Sequence, residues 1–411
     1  MSEWATMPLR AALAIRGAAV GPLRRSLIRL TRRTPVPPTW PAPAGRHPVG
    51  VRDAVISGLG PAPTDGVIRI WYPAVAGTGA DPRPYFGGPE EQRTMVRGLR
   101  STLSRRGVRA LGARRTASRP DASPSAEDAP VVVFSHGFTG FVGQNTHLCE
   151  HLASAGYVVV SVAYPGAAAA IAAPGGSERV MTATERRRLT SPEFVRTIAA
   201  LLSARTTTEE DAALARAATV DVLTAENARW TRHLSGVLDA LIPPESRARR
   251  VDEVTARLLD AADWSRLALA GMSFGGSTSA NLAQVDPRVS AAINLDGLQQ
   301  GELLRLRDSR VPMLVMSSAG SRLRSGRVVT DLHYEAPGSR AEVRRILVPD
   351  ARHYAFTDLV GFGTGAVRRL LDLGTVDASR MLRLVADTTL AFLDATLRPV
   401  AAAGAGREDR R

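Results

Sequence analysis

Residues 266–285 read RLALAGMSFGGSTSANLAQV, and the fold is decided by this stretch. RLALA has the composition of a buried strand, and STSANLAQV has that of a helix. Between them, residues 271–275 form a Gly-X-Ser-X-Gly pattern. This pattern between a strand and a helix predicts a nucleophile elbow, the sharp turn that holds a serine hydroxyl out at the edge of a sheet. The glycines suit a turn with no room for side chains, so Ser273 is the expected nucleophile.

Strand and helix patterns alternate on both sides of the elbow. The predicted strands lie at 67–75, 131–135, 157–166, 266–270, 289–297, 311–318 and 343–350. The predicted helices lie at 146–156, 192–203, 208–217, 225–242 and 380–397. Continuous apolar runs such as VVVFS are typical of strands that are buried on both faces. The order predicts an α/β-hydrolase fold, with a mostly parallel central sheet flanked by helices.

A serine nucleophile needs a base, and the base needs an orienting acid. Among the seven histidines, His353 follows the last predicted strand, as the order Ser, acid, His requires. The strand at 289–297 ends in Asp296, whereas the next strand runs into Ser-Ser-Ala-Gly without a carboxylate. Asp296 is therefore the expected acid, one strand earlier than in the commonest arrangement. Asp350, close to His353 in sequence, is the alternative.

An oxyanion hole for ester chemistry needs two backbone N–H groups. Phe274, directly after the nucleophile, supplies the first by its position. The loop after the first buried strand reads HGFTG at 136–140, and Phe138 is the expected second donor.

Composition excludes several other chemistries. The chain of 411 residues contains one cysteine, which rules out an intramolecular disulfide framework and a multi-thiolate metal site. It contains no lysine, so Schiff-base chemistry and phosphate binding by a P-loop lysine are excluded. The sequence therefore predicts neither a cofactor nor a metal.

The basic charge is confined to the first quarter of the chain. Residues 1–119 hold 20 Arg and six acidic side chains, a net +14 that equals the charge of the whole chain. Within them, residues 1–33 resemble a basic amphipathic helix, for which an anionic membrane surface is a candidate partner. A weakly ordered tail and a helix packed on its own domain are the alternatives. No nucleic-acid partner is expected.

These patterns divide the chain into three parts. Residues 1–48 form a basic and Pro-rich N-terminal extension, 49–400 the α/β-hydrolase domain, and 401–411 a disordered tail. Within the domain, 166–262 is interpreted as a mostly helical insertion and a candidate lid. Residues 88–129 are interpreted as a long surface excursion that is partly helical around 89–100. The apolar stretch at the N-terminus is interrupted and ends in arginines, which argues against a secretory signal. A cytoplasmic or peripheral membrane location is expected, although an organelle transit peptide stays open.

Four motifs together carry a resemblance to a known family. They are FSHGF (134–138), AGMSFGGST (270–278), NLDG (294–297) and RHYAFTDLVGFGTG (352–365). They resemble the plasma and type II platelet-activating factor acetylhydrolase family, which is similar to dienelactone hydrolases and bacterial polyester hydrolases. The resemblance covers 67–75 and 130–398. It implies Ser273 as nucleophile, Asp296 as acid, His353 as base, and the Phe138 and Phe274 amides as oxyanion donors.

The expected function is therefore serine ester hydrolysis. The resemblance implies an apolar carboxylic ester or lipid ester as substrate, with the sn-2 short or oxidised acyl ester of a phospholipid as the specific candidate. The first alternative is a general carboxylesterase or polyester hydrolase. The second, from another class, is a non-catalytic membrane-surface protein that retains the fold.

Overall fold

The computed structural model describes residues 40–398, except for 126, 189–190, 218, 299–308, 330–340, 363–367 and 370. The basic segment 1–33 and the tail 401–411 lie outside the described residues. The strands are β1 (Val49–Val55), β2 (Val67–Pro73), β3 (Ser118–Pro120), β4 (Ala129–Ser135), β5 (Val158–Val162), β6 (Ala170–Ala172), β7 (Glu178–Val180), β8 (Ala262–Met272), β9 (Ala291–Leu295), β10 (Met313–Ser318) and β11 (Val343–Val348). The helices are α1 (Pro89–Gly98), α2 (Arg105–Gly112), α3 (Thr146–Ser154), α4 (Ala183–Arg187), α5 (Pro192–Ser203), α6 (Thr207–Ala217), α7 (Asp221–Leu241), α8 (Pro244–Arg250), α9 (Glu253–Asp260), α10 (Phe274–Val285) and α11 (Ala378–Leu397).

Nine of these strands form one twisted sheet in the described part of the chain. Their order is β11-β10-β9-β8-β4-β5-β2-β1-β3. The strands from β11 to β5 run parallel to their neighbours, and β2 pairs antiparallel with both β5 and β1. The predicted α/β-hydrolase fold is confirmed. Since parallel strands share one carboxyl edge, the loops that follow β4, β8, β9 and β10 meet there.

Alternate residues of the central strand face two different apolar layers. Val131 and Val133 of β4 pack in the layer that contains α7 and α10, whereas Val132 and Phe134 pack in the layer that contains α3 and α11. All four side chains are buried, which explains the unbroken apolar run. Each such burial contributes about 1.5–3 kcal/mol to the free energy of unfolding. The sheet is thus a rigid base for the loops at its carboxyl edge.

The longer helices of the segment interpreted as a helical insertion, 166–262, are packed in different ways. Helix α7 belongs to the core, because Trp230 and Leu234 are completely buried against the sheet layer. The hairpin of α5 and α6 instead packs on Leu298, in the loop after β9. The candidate lid is therefore restricted to the hairpin, since α7 is fixed by its packing.

Residues 88–129 are not the surface excursion that their composition suggests, although the helix expected around 89–100 is present as α1. They contain α1, α2 and β3, and β3 extends the sheet by pairing parallel to β1. Met95, Val108 and Leu111 are buried together in an apolar cluster. These apolar residues are too widely spaced among arginines to give a clear periodic pattern. Among the helices of the described part, none is long and apolar enough to cross a membrane.

Candidate active site

Ser273 lies at the sharp turn between β8 and α10. Its backbone has φ 57° and ψ −124°, a left-handed conformation that is unfavourable for a residue with a side chain. The Ser273 N–H donates to the Leu295 carbonyl at 2.8 Å, and its carbonyl accepts from the Ser277 N–H at 3.1 Å. Strain of this kind costs about 1–3 kcal/mol and persists only where its surroundings enforce it. Here the end of β9 and the first turn of α10 enforce it.

The two glycines of the elbow are required by close backbone contacts. A Cβ at Gly275 would lie 2.3 Å from the carbonyl oxygens of Ser135 and His136, at the end of β4. A Cβ at Gly271 would lie 2.4 Å from the backbone of Gly275. The absence of a side chain at Gly275 lets the elbow approach the end of β4, and its absence at Gly271 lets the elbow close on its own backbone.

The structure brings Ser273, His353 and Asp296 together in a chain of hydrogen bonds. His353 begins a short 3₁₀ turn, His353–Phe356, after β11. Its Nε2 lies 2.9 Å from Ser273 Oγ, and its Nδ1 lies 2.8 Å from Asp296 Oδ2. A histidine placed in this way can take a proton from the serine through Nε2 while the aspartate holds the Nδ1–H tautomer.

Asp296 is buried and well supplied with hydrogen-bond donors. It follows β9 with φ 55°, and its Oδ1 accepts from the Ser318 N–H at 2.7 Å and from Ser321 Oγ at 2.8 Å. Burial opposes ionisation, but the hydrogen bonds and charge of His353, together with those two donors, bring the pKa of Asp296 below its ordinary value. Neither serine is predicted from the sequence to be functional. Both lie in or just after the Ser-Ser-Ala-Gly run at 317–320, whose most obvious feature is that it lacks a carboxylate.

Two opposing effects act on the pKa of His353. Burial lowers the pKa of the imidazole, but the hydrogen bond and charge of Asp296, and more weakly the charge of Asp372, outweigh burial and raise it above its ordinary value. One third of the His353 side chain is exposed, 33%, whereas that of Asp296 is almost inaccessible. The imidazole is therefore the member of the pair that an incoming molecule can reach.

The loop after β4 lies directly beside Ser273. A Cβ at Gly137 would lie 3.2 Å from Ser273 Cβ, and the Gly137 N–H donates to Gln144 Oε1 at 3.2 Å. Among the described residues, no acceptor takes a hydrogen bond from the backbone N–H of Phe138 or of Phe274. Both amides are thus available as donors, and their role in an oxyanion hole stays a prediction.

Aromatic packing holds this loop from below, and sequence reasoning did not find it. The Trp230 ring stacks on Tyr164 with centroids 3.9 Å apart and contacts Phe274 at 4.9 Å. His136 completes the group; its Nδ1 bonds the Gly137 carbonyl at 2.7 Å, and its Nε2 accepts from the Tyr164 N–H at 3.2 Å. Burial lowers the pKa of His136 to about 4, so it stays neutral. The sequence sign of this packing is the His-Gly pair at 136–137. The aromatic residues Tyr164 and Trp230 come from distant segments, so their contact with the loop cannot be predicted from that pair.

The alternative acid does not reach the site. Asp350 is exposed, and no hydrogen bond joins its carboxylate to His353. Asp331 lies outside the described residues. In the part of the chain that the structure describes, no group of three or more His, Cys, Asp or Glu residues could hold a metal ion.

The central sheet and the serine elbow define the protein as an α/β hydrolase, and comparison with known proteins specifies the family. Residues 37–400 match the family model described as platelet-activating factor acetylhydrolase, isoform II, so the chain belongs to that family. Among solved structures it is similar to a ferulic acid esterase from Streptomyces cinnamoneus, with 25% identity, a TM-score of 0.63, and coverage of 88% of this chain and 94% of that chain. A search of curated proteins found no match. The predicted family is confirmed, and the protein is a hydrolase of carboxylic esters.

Proposed function

We propose that the protein is a serine esterase in which Ser273, His353 and Asp296 form the catalytic triad. His353 Nε2 accepts the Ser273 proton as Oγ attacks the ester carbonyl. The Phe138 and Phe274 amides donate to the oxyanion of the tetrahedral intermediate. His353 then gives the proton to the leaving alcohol, and water hydrolyses the acyl-enzyme by the same route. The 2.9 Å separation of His353 Nε2 and Ser273 Oγ, with Asp296 on the opposite ring nitrogen, carries the proposal.

The substrate we propose is an apolar acyl ester, with the sn-2 short or oxidised acyl ester of a phospholipid as the specific candidate. Family membership supports this choice. Two positions next to the site are relevant to the choice of substrate. They are Met272, before the nucleophile, and Leu298, two residues after Asp296. Met272 is buried in the sheet layer and contacts the loop at Gly137, so it supports that loop from within the fold. Leu298 packs against the aliphatic cluster of the α5–α6 hairpin, so an apolar side chain lies close to the acid in sequence.

A second candidate is a general carboxylesterase, which includes polyester hydrolysis. The structural neighbour favours it, because a ferulic acid esterase shares the fold over 88% of this chain. A non-catalytic protein with the same fold is the contrasting hypothesis. The intact chain of hydrogen bonds through His353 argues against it.

One pair of measurements tests these proposals. A fluorophosphonate probe should label wild-type protein on Ser273 and leave Ser273→Ala unlabelled. A panel of short-chain nitrophenyl esters, methyl ferulate and phosphatidylcholines with truncated sn-2 chains should then rank the substrates. Preference for the truncated phosphatidylcholines supports the phospholipid proposal, whereas preference for the soluble esters supports the general carboxylesterase. Absence of labelling together with absence of turnover would favour the non-catalytic protein.

We further propose an anionic membrane surface as a partner, with a peripheral location. Residues 1–33 carry seven Arg and one Glu. In the described part, a hollow of about 580 Å³ beside α1 and α2 adds to this basic character. Its charged lining residues are Arg93, Arg97, Arg100, Arg105, Arg109, Glu90 and Glu178. Each Arg near an anionic surface contributes about 1 kcal/mol, so even part of this set would give a useful affinity.

Truncation tests the role of the N-terminal segment. Deleting residues 1–33 should weaken binding to anionic vesicles and leave hydrolysis of a soluble short-chain ester nearly unchanged. Vesicle co-sedimentation at about 0.1 M and about 1 M salt measures this, since the Debye length falls from about 10 Å to about 3 Å. Equal binding by both forms would show that the segment is a passive tail. Loss of soluble-ester activity would show that it is part of the fold.

A further inference from the structure

The α5–α6 hairpin is attached close to the proposed triad. Leu201 of α5 and Ala213 of α6 are buried in one small apolar cluster with Leu323 and Val329. Leu298, two residues after Asp296, packs against the same cluster. The hairpin therefore contacts both the loop that follows the acid and the segment that follows β10.

Glu210 of α6 makes the polar part of this contact. Its side chain has no exposed surface, 0%. Its Oε1 accepts from the Ser325 N–H at 3.2 Å, and its Oε2 accepts from Ser325 Oγ at 2.7 Å. Arg327 Nη1 lies 3.6 Å from the same Oε2, and Arg327 Nη2 lies 2.7 Å from Asp211. A buried carboxylate with these donors fixes the tip of the turn to α6.

The same turn leads back to Asp296. Ser321, four residues before Ser325, donates from Oγ to Asp296 Oδ1 at 2.8 Å. Between them the chain folds tightly, since the Leu323 N–H donates to the Arg327 carbonyl at 2.7 Å and Arg322 forms a β-bridge with Val328. The start of this segment, 321–328, thus lies on the acid, and its tip at Ser325 lies on Glu210.

We propose that Glu210 is a positioning residue that acts on the triad through Ser321. By fixing the 321–328 turn, it keeps the Ser321 hydroxyl on Asp296 and so keeps the carboxylate aligned with His353. Docking of the α5–α6 hairpin and alignment of the acid then depend on one shared turn. This inference rests on the proposed function, because it assumes that Asp296 orients His353 during ester hydrolysis.

A double-mutant cycle on full-length protein tests this coupling. kcat and KM for p-nitrophenyl acetate are measured for wild type, Glu210→Ala, Ser321→Ala and the double variant, with active sites counted by fluorophosphonate titration. We expect each single variant to lose about five- to tenfold in kcat with KM nearly unchanged, and the double variant to lose no more than about twofold beyond Ser321→Ala. If the two substitutions acted independently, the fold-losses in kcat of the single variants would multiply in the double variant. That result would overturn the inference.

Controls separate positioning from general stability. Glu209→Ala changes the neighbouring carboxylate, which is exposed and bonds only backbone N–H groups at the start of its own helix, so kcat should stay unchanged. If Glu210→Ala does not fold, Ser325→Ala removes one donor at an exposed position, and it should show the same non-additivity with Ser321→Ala. Wild-type kcat in Glu210→Ala, or in Ser325→Ala where that variant replaces it, would contradict the inference while leaving the proposed function intact. A wild type without ester turnover would overturn both.

Discussion

The two sides of Ser273 are built from different interactions. On the oxyanion side, Trp230, Tyr164 and Phe274 pack ring against ring beneath the loop after β4. On the acid side, Asp296 accepts hydrogen bonds from His353, from a backbone N–H and from a serine hydroxyl. The first side is organised by apolar burial and the second by polar contacts nearer the surface. Substitutions on the aromatic side should therefore mainly lower stability, and those on the polar side should mainly lower the rate.

The largest effect is expected at Ser273, where the two sides meet. Ser273→Ala should lower kcat/KM by about 10⁴-fold or more, because in the described structure no other hydroxyl lies on such an elbow. Ester hydrolysis measures the loss, and circular dichroism with thermal unfolding checks that the fold is retained. Activity within about tenfold of wild type would contradict the assignment of the nucleophile.

The next largest effect concerns the polar side. Asp296→Asn should reduce kcat/KM by about 10³- to 10⁴-fold, since the amide no longer holds His353 in the required tautomer. Asp350→Asn should cost little, because its carboxylate is exposed and away from His353. Asp331→Asn should also cost little. The opposite ranking, with Asp350→Asn the crippling change, would place the acid on the loop before His353.

The pH dependence of kcat/KM should also report on the polar side, through the effect of Asp296 on His353. His353 acts as a base only when neutral, so kcat/KM should fall as the pH drops through its pKa, by about tenfold per unit at low pH. Because Asp296 raises that pKa above the ordinary 6.5, the fall should begin above pH 6.5. In Asp296→Asn the acid limb of the residual activity should move to lower pH. An unmoved limb would mean that another group sets the profile.

Substitution on the aromatic side should act on stability more than on rate. Trp230→Ala should lower the free energy of unfolding by about 3–5 kcal/mol, because it empties a fully buried site. Ser321→Ala should lower it by only about 1 kcal/mol, since one hydrogen bond near the surface is lost. Urea unfolding of both variants gives the comparison. Equal losses of stability would show that the two sides do not differ in the way we describe.

Local signals in the sequence predicted the fold and the residues of the site. Residues 271–275 gave the elbow, and the order of strands placed Asp296 and His353. Their side chains are then brought together because parallel strands end at one edge. The catalytic roles of all three stay predictions until the variants are measured.

Other features depend on contacts between distant segments. Ser318 bonds Asp296 through its backbone, which no side-chain pattern reveals. Trp230 reaches the elbow from α7, in a segment that was interpreted as an insertion. Strand β1 was not predicted, because it follows a Pro-rich stretch and contains two charged residues. Such features are set by tertiary packing, which outweighs local propensity.

Cys149 gives the molecule a built-in reporter of local opening. It is the only cysteine in the chain and is buried in α3, which packs against α11. Burial also raises the pKa of its thiol, so the reactive thiolate is suppressed in the native state. A thiol reagent can therefore react only after a motion that exposes Cys149. The rate of modification of unaltered protein consequently reports on local opening around Cys149.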